Sequence, residues 1–299
     1  MRGANQMKML KIIEKRRSVR DYRDKPLSAQ DAKHVDDYIN SVPQIVDGVT
    51  VSLRKIEDAK ACYDYLNGYA GYHGKMIAAP HYVIVTATSG NHALKAGGYA
   101  GEWFVLNLTR HEIATCWISA NNNEARVAEF LELPATEEVV GIIGYGYANN
   151  EVRVSSIYAY GSNGNISDVK PNYSEQTVSG RVSLEEIVHI SRWGNLASVE
   201  RLEELGYDDV FYYMRLAPSS VNRQPWRFLI QRGEFVLCVS REDGYDDDRL
   251  ALLEAGIAML YFEVAMHDSG FPGKWYFTLE RADYQVPEQY LIAAVYKFN

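Results

Sequence analysis

Apolar positions near the N-terminus recur at helical spacing. Residues 9–17 form an amphipathic basic pattern, and residues 28–40 a second helix with Ser28 as its N-cap behind Pro26. Residues 52–66 also read as helical. The period then changes. HYVIVTAT, residues 81–88, is rich in β-branched and aromatic side chains and predicts a buried strand. Residues 99–111 form an apolar helix, 123–131 a short amphipathic one, and GIIGYGYA, residues 141–148, another strand. Residues 161–180 are rich in Gly, Ser and Asn and predict a long connection. Beyond it, helices are expected over 183–189 and 198–205, and a hairpin over 226–240 turning at Arg232-Gly233. A buried apolar helix over 251–266 and a closing strand over 290–298 complete the pattern.

The order of elements repeats. Strand HYVIVTAT, helix YAGEWFVLNLTRHE, then TCW and strand GIIGYGYA are matched later by FVLCVS, AGIAMLYFEVAMHD, GKW and LIAAVYKF. His111 and His267 occupy corresponding places, as do Trp117 and Trp275. The pattern suggests an old duplication, against the alternative of chance similarity between two α+β segments. It divides the chain into a first half, 1–160, a linker, 161–182, and a second half, 183–299.

The 299 residues are 47% hydrophobic, enough for one large core or two fused ones. A net charge of -8 gives no overall attraction for nucleic acid or an anionic membrane, so an anionic ligand needs a local basic cluster. Lys8, Lys11, Glu14 and Lys15 interrupt any signal-peptide core, and 251–266 is too short to span a bilayer. Three separated cysteines point to a reducing, cytoplasmic setting, and the histidines lack metal-ligand spacing. There is no GxGxxG after a strand, no P-loop and no GxSxG.

Two segments carry candidate chemistry. Arg16-Arg17-Ser18-Val19-Arg20 gathers guanidinium forks and a hydroxyl that match phosphate oxygens, although alone it also reads as a solvated basic face. Ala217-Pro218-Ser219-Ser220-Val221-Asn222-Arg223-Gln224-Pro225-Trp226 sets hydroxyl and amide groups between two prolines, and alone also reads as an ordinary helix-to-strand turn. Together, RRSVRDYRDKPL and APSSVNRQPWRF resemble the two signature segments of the FMN-dependent nitroreductase family. In that family both lie close together in one subunit, and a site at the dimer interface takes one from each subunit. Here they stand about two hundred positions apart, with SVPQIVDG where the first half would carry its loop and SRWGNLAS where the second half would carry its arginines. HGKMIAAPH (73–81) and TCWISA (115–120) are similar to the family stretches that bring a lysine and backbone N–H groups to the flavin. GRVSLEEIV (180–188) resembles the family tail that reaches the phosphate.

The resemblance implies an α+β fold, a mostly antiparallel central sheet flanked by helices, present as two degenerate tandem copies that form an intramolecular pseudo-dimer. It implies one composite site per chain. Arg16, Arg17, Ser18 and Arg181 would hold the FMN phosphate and ribityl chain, and Arg20 and Lys75 would face the N1–C2=O edge. Ile118 and Ser119 would approach N5, with Pro218, Ser219, Ser220 and Asn222 closing the pocket; Gln224 and Trp226 would be structural. The implied activity passes hydride from NADH or NADPH through FMN to a nitroaromatic, quinone or similar small acceptor. Dehalogenation, O2-dependent oxidation and a non-catalytic flavin-binding or sensor role are the alternatives. The fused architecture allows a monomer as well as a further homodimer.

Overall fold

Val51 and Leu53 alternate with polar neighbours, so this stretch pairs along a strand instead of coiling. The computed structural model of the chain describes residues 8–149, 154–159, 169–173, 180–241, 248–277 and 284–298. The first half runs α1 (Met9–Lys15), α2 (Ala29–Ile39), β1 (Val51–Lys55), α3 (Ala59–Leu66), β2 (His81–Thr88), α4 (Ala93–Arg110), β3 (Ala114–Ile118), α5 (Glu124–Phe130) and β4 (Glu137–Gly146). Its sheet has the order β1-β2-β4-β3, antiparallel throughout. A hairpin, β5 (Val154–Ala159) with β6 (Val169–Tyr173), follows. The second half runs α6 (Leu184–Ile187), β7 (Val188–Ile190), α7 (Val199–Leu205), α8 (Asp208–Met214), a 3-10 turn (Ser220–Asn222), β8 (Trp226–Gln231), β9 (Glu234–Ser240), α9 (Arg249–Asp268), β10 (Gly273–Tyr276) and β11 (Tyr290–Phe298).

The second sheet has the order β10-β11-β9-β8-β7. Read from β8, that is β8-β9-β11-β10, the arrangement of β1-β2-β4-β3 with each strand in the same chain order. The helix after the second strand is α4 in one half and α9 in the other. Among the described residues of the second sheet, β7 alone has no counterpart strand in the first, and it pairs in parallel with β8. Trp117 on β3 and Trp275 on β10 stand on equivalent strands.

α4 packs on the first sheet, α9 on the second, and the two helices pack on each other. Both are buried along most of their length, with Lys95, Glu102 and Asn107 of α4 and Glu254 of α9 among the buried residues. Their backbones meet at two glycines. A Cβ on Gly98 would lie 2.1 Å from the carbonyl O of Leu253, and one on Gly256 would lie 2.0 Å from that of Lys95. Each glycine faces the residue three before the other. Ile45, Trp103, Trp117, Leu253 and Phe277 pack against the cores of both halves and make the junction continuous.

Several expectations are corrected. Residues 52–66 hold a strand and then α3, separated by Asp58, whose carboxylate caps α3 at Ala61 N (2.9 Å). TCWISA, which by its resemblance to a family loop carries no regular element, is strand from Thr115 to Ile118, because Ala114–Ile118 pairs with β4. Within 183–189 only Leu184–Ile187 is helical; β-branched Val188 and Ile190 turn the chain into β7. The expected 161–182 connection contains β6, and its remainder up to residue 179 lies outside the described residues. The apolar helix is longer than expected, 20 residues, which by length and composition alone could cross a membrane, but it is mostly buried inside the protein.

Candidate functional site

α1 ends at Lys15, and the chain then runs along the edge of the first sheet. Ser18 bridges Thr115 in parallel, and Val19 N donates to Thr115 O at 2.8 Å. This pairing holds the arginine segment against β3. Arg16 is 8% exposed; its Nη1 donates to Ser18 Oγ (3.3 Å) and its Nε lies 3.8 Å from Glu102 Oε1, with no hydrogen-bond partner of its own. Glu102, on α4, is fully buried and accepts hydrogen bonds from Trp117 Nε1 at 2.7 Å and Tyr261 OH at 2.9 Å. Burial raises its carboxyl pKa, and Arg16 and the two hydrogen bonds offset only part of that rise. Arg17 turns back to donate to the carbonyls of Glu14 and Arg16. Arg20 is near Tyr22 and Cys116; burial raises the pKa of both groups, and the Arg20 charge opposes that rise.

The second segment is held by a second buried acid. Glu254 on α9, 1% exposed, accepts from Ser220 N at 2.6 Å and from Arg223 Nη2 at 2.7 Å. Val221, Asn222 and Gln224 have φ of +43°, +60° and +52°, left-handed values interrupted by a right-handed Arg223, and a β-branched valine adopts such a φ only under constraint. Gln224 supplies part of that constraint, accepting from Val182 N (3.0 Å) and donating to Gly180 O (3.2 Å). Asn222 Nδ2 donates to Gly180 O at 2.7 Å. Pro218, Ser219 and Asn222 are half-buried and Ser220 is exposed. Trp226 is fully buried in the core beside Phe228, as a strand-opening tryptophan should be.

Arg181 is bonded to the start of the second segment and lies within the electrostatic reach of the first. Its Nη1 donates to Ala217 O (2.8 Å) and its Nη2 to Leu216 O (3.2 Å). Burial lowers its pKa to about 10, and the charges of Arg16, Arg17 and Arg215 push the same way, against Tyr261. Four guanidiniums from both halves thus share one electrostatic neighbourhood, with Glu102 among them. The arrangement can hold an anion. The family model described as "Putative TM nitroreductase" matches residues 8–266. The chain belongs to this nitroreductase family. A nitroreductase described as putative, from Thermotoga maritima MSB8, matches over 99% of this chain and 95% of its own, with 18% identity and a TM-score of 0.56, a likeness of fold. A nitroreductase family protein from Clostridium novyi NT aligns with 48% of this chain and 87% of its own at 22% identity and TM-score 0.42. An FMN-dependent nitroreductase from Clostridium difficile R20291 aligns with 47% of this chain and 87% of its own at 19% identity and TM-score 0.40. No curated protein matches the chain significantly.

The remaining expected residues of this nitroreductase-family chain gather at the far end of β3. Gly71 N donates to Ser119 O at 2.8 Å, which ties the Tyr72–Lys75 turn to the residue after the strand. Lys75 and Ser119 are exposed there. Ile118 points into the core at 2% exposure, so only its backbone can face a ligand. β3 is therefore the shared support: the arginine segment lies along Thr115, and Ser119 with the Lys75 turn lies beyond Ile118. Sequence reasoning missed Glu102, Glu254, Tyr261 and Arg215. The available signal was an acid inside an apolar helix, in GEWFVL and LLEAGI, since buried carboxylates persist only when paired.

Proposed function

We propose that the chain is an FMN-dependent oxidoreductase that carries hydride equivalents from NADH or NADPH to a small acceptor such as a nitroaromatic or quinone, at one composite site per chain. One observation carries this reading: Arg16 and Arg17 of the first half share a field with Arg181 and Arg215, which adjoin the 217–222 loop of the second. A phosphate monoester brings close to two negative charges at neutral pH. Four guanidiniums against one buried carboxylate, with Arg16 Nε lacking a hydrogen-bond partner, fit such a dianion. FMN, when bound, supplies the hydride-accepting ring that no side chain offers.

The chain's own residues bind and orient. Arg16, Arg17, Ser18 and Arg181 would hold the phosphate and ribityl chain. Arg20 and Lys75 would supply positive charge to the pyrimidine side of the ring, where it would stabilise the electron-rich reduced form. The backbone at Ile118 and Ser119 would line the reactive side of the ring, and Pro218, Ser219, Ser220 and Asn222 would close the pocket. The matching strand orders of the two sheets support a tandem pseudo-dimer. In the first half, the loop before β1 packs Ile45 and Val46 into the core, which favours a single working site.

The test is the absorption spectrum of the purified protein, with quantitation of any released flavin. About one FMN per chain, bleached anaerobically by NADH or NADPH, supports the reading; two per chain would refute a single composite site. Flavin without turnover would leave a binder or sensor, and protein that takes up no FMN would overturn the proposal.

A further inference from the structure

Glu102 is the least solvated acid near the proposed site, and its two hydrogen-bond donors and its ion-pair partner come from three separate elements. Trp117 reaches it from β3, Tyr261 from α9, and Arg16 from the segment after α1. We propose that Glu102 is a positioning residue: it keeps Arg16 buried and oriented for a phosphate monoester, and it links that arginine to both central helices. The inference rests on the reading of the arginine cluster as a phosphate site.

Arg16 is 8% exposed although Arg181 and Arg215 stand in the same neighbourhood. A buried guanidinium among like charges would move to water unless a counter-charge held it. Glu102 is the one acid within ion-pair distance of Arg16 among the described residues. With the carboxylate in place, Arg16 is ordered before the ligand arrives, and the entropy of fixing a long flexible side chain is not charged against binding.

The two central helices provide an independent argument. Gly98 and Gly256 occupy equivalent places, each against the backbone of the other helix, which puts the two helices two residues out of the register that would match His111 with His267. Four residues further on, α4 carries Glu102 and α9 carries Leu260, which is buried at 3% exposure. The acid therefore occurs in the half that carries the arginine segment and not at the matching place in the half that lacks it. An acid serving only to glue the helices together would suit either place equally.

The experiment compares FMN with riboflavin, which lacks the phosphate, on the full chain. Dissociation constants are measured by flavin fluorescence quenching for the wild type, Glu102→Gln, Glu102→Asp and Tyr261→Phe. Glu102→Gln is expected to weaken FMN about tenfold or more and riboflavin less than about threefold, since the lost interaction is a charged one. Glu102→Asp should recover part of the loss, and Tyr261→Phe should show a smaller loss of the same kind. Equal losses for both flavins would reduce Glu102 to structural glue, and tighter FMN binding would make it a competitor for Arg16; either result overturns the proposal. If Glu102→Gln does not fold, an unchanged FMN-to-riboflavin ratio in Tyr261→Phe overturns it as well. Should the wild type bind neither flavin, the flavoenzyme reading fails by itself. Glu102 is then judged by whether inorganic phosphate raises the wild-type melting temperature but not that of the Glu102 variants; no wild-type shift overturns the proposal too.

Discussion

Replacing Gly256 by alanine sets two opposed effects against each other. In an isolated helix the change stabilises by about 0.8–1 kcal/mol, because alanine loses less backbone entropy. Here the new Cβ would sit 2.0 Å from Lys95 O and 2.8 Å from Tyr99 N, both backbone atoms that no rotamer change can move. A carbon needs roughly 3.3 Å from a carbonyl oxygen, so α9 must withdraw from α4 by about 1 Å. A gap of that size forfeits a quarter to a half of the dispersion energy of each contact it opens. Overpacking costs about 1–3 kcal/mol and sometimes more, and a backbone clash belongs at the upper end. The net expectation is a loss of about 2–3 kcal/mol, or about 3–5 °C in Tm for a chain of 299 residues. Gly90→Ala, where a Cβ meets nothing within 4 Å, is the control and should change stability by less than about 0.5 kcal/mol. Urea and thermal denaturation of the two variants measure the difference. A Gly256→Ala protein as stable as the wild type would refute the backbone contact between the central helices.

Further expectations follow from the same contacts. Glu254→Gln breaks a buried pair with Arg223 and weakens the acceptor for Ser220 N, so it should cost about 3–5 kcal/mol in denaturation and weaken FMN and riboflavin alike. Arg181→Ala should weaken FMN by about tenfold or more in fluorescence titrations and riboflavin by less, the smaller loss coming from the carbonyls of Leu216 and Ala217 that Arg181 holds at the start of the closing loop. Lys95 is buried with its Nζ donating to Ala293 O at 2.7 Å, and burial lowers its pKa to about 8. Between that value and the ordinary lysine range the unfolded chain holds a proton that the folded one has released, so stability should rise with pH above about 8. The rise should have a slope of up to about 1.4 kcal/mol per unit and be missing in Lys95→Met; parallel profiles for the two proteins would contradict it. Val221→Gly relieves the φ of +43° at a residue 74% exposed and should raise or hold Tm, whereas a clear loss would argue against strain there.

Strong local signals in the sequence predicted the corresponding elements. HYVIVTAT is a strand, and the 226–240 hairpin turns at Arg232-Gly233, whose φ values of +55° and +76° suit a tight turn. Ser28 caps α2 through Asp31 N at 3.1 Å. The failures lie where two short elements share one window. Residues 52–66 average a five-residue strand with an eight-residue helix, and only pairing with β2 separates them. The candidate site was legible where a side chain's chemistry is unusual for its surroundings, as in the arginine segment of an acidic chain. Its supporting residues were not. Glu102 and Tyr261 meet across 159 positions of sequence, and the periodicity of one helix does not report which residue of another it will meet.

The asymmetry between the halves bears on why the two copies would be joined. In a homodimer, each substitution appears on both sides of the axis, so a residue that fills one site fills the other. Here equivalent places differ: Glu102 faces Arg16 where α9 has Leu260, and Ile45 packs into the core where the second half presents Ser219 and Ser220. On the proposed reading, a single chain lets one half keep the anion-binding side and the other keep the closing loop. The junction between α4 and α9 then has a second role beyond holding the halves together. It carries both buried acids, Glu102 toward the arginine segment and Glu254 toward the 217–224 loop, so the spacing of the helices sets the spacing of the two parts of the site. That spacing is fixed by two glycines whose backbones touch, and any residue larger than glycine at either place disturbs the fold and the site together.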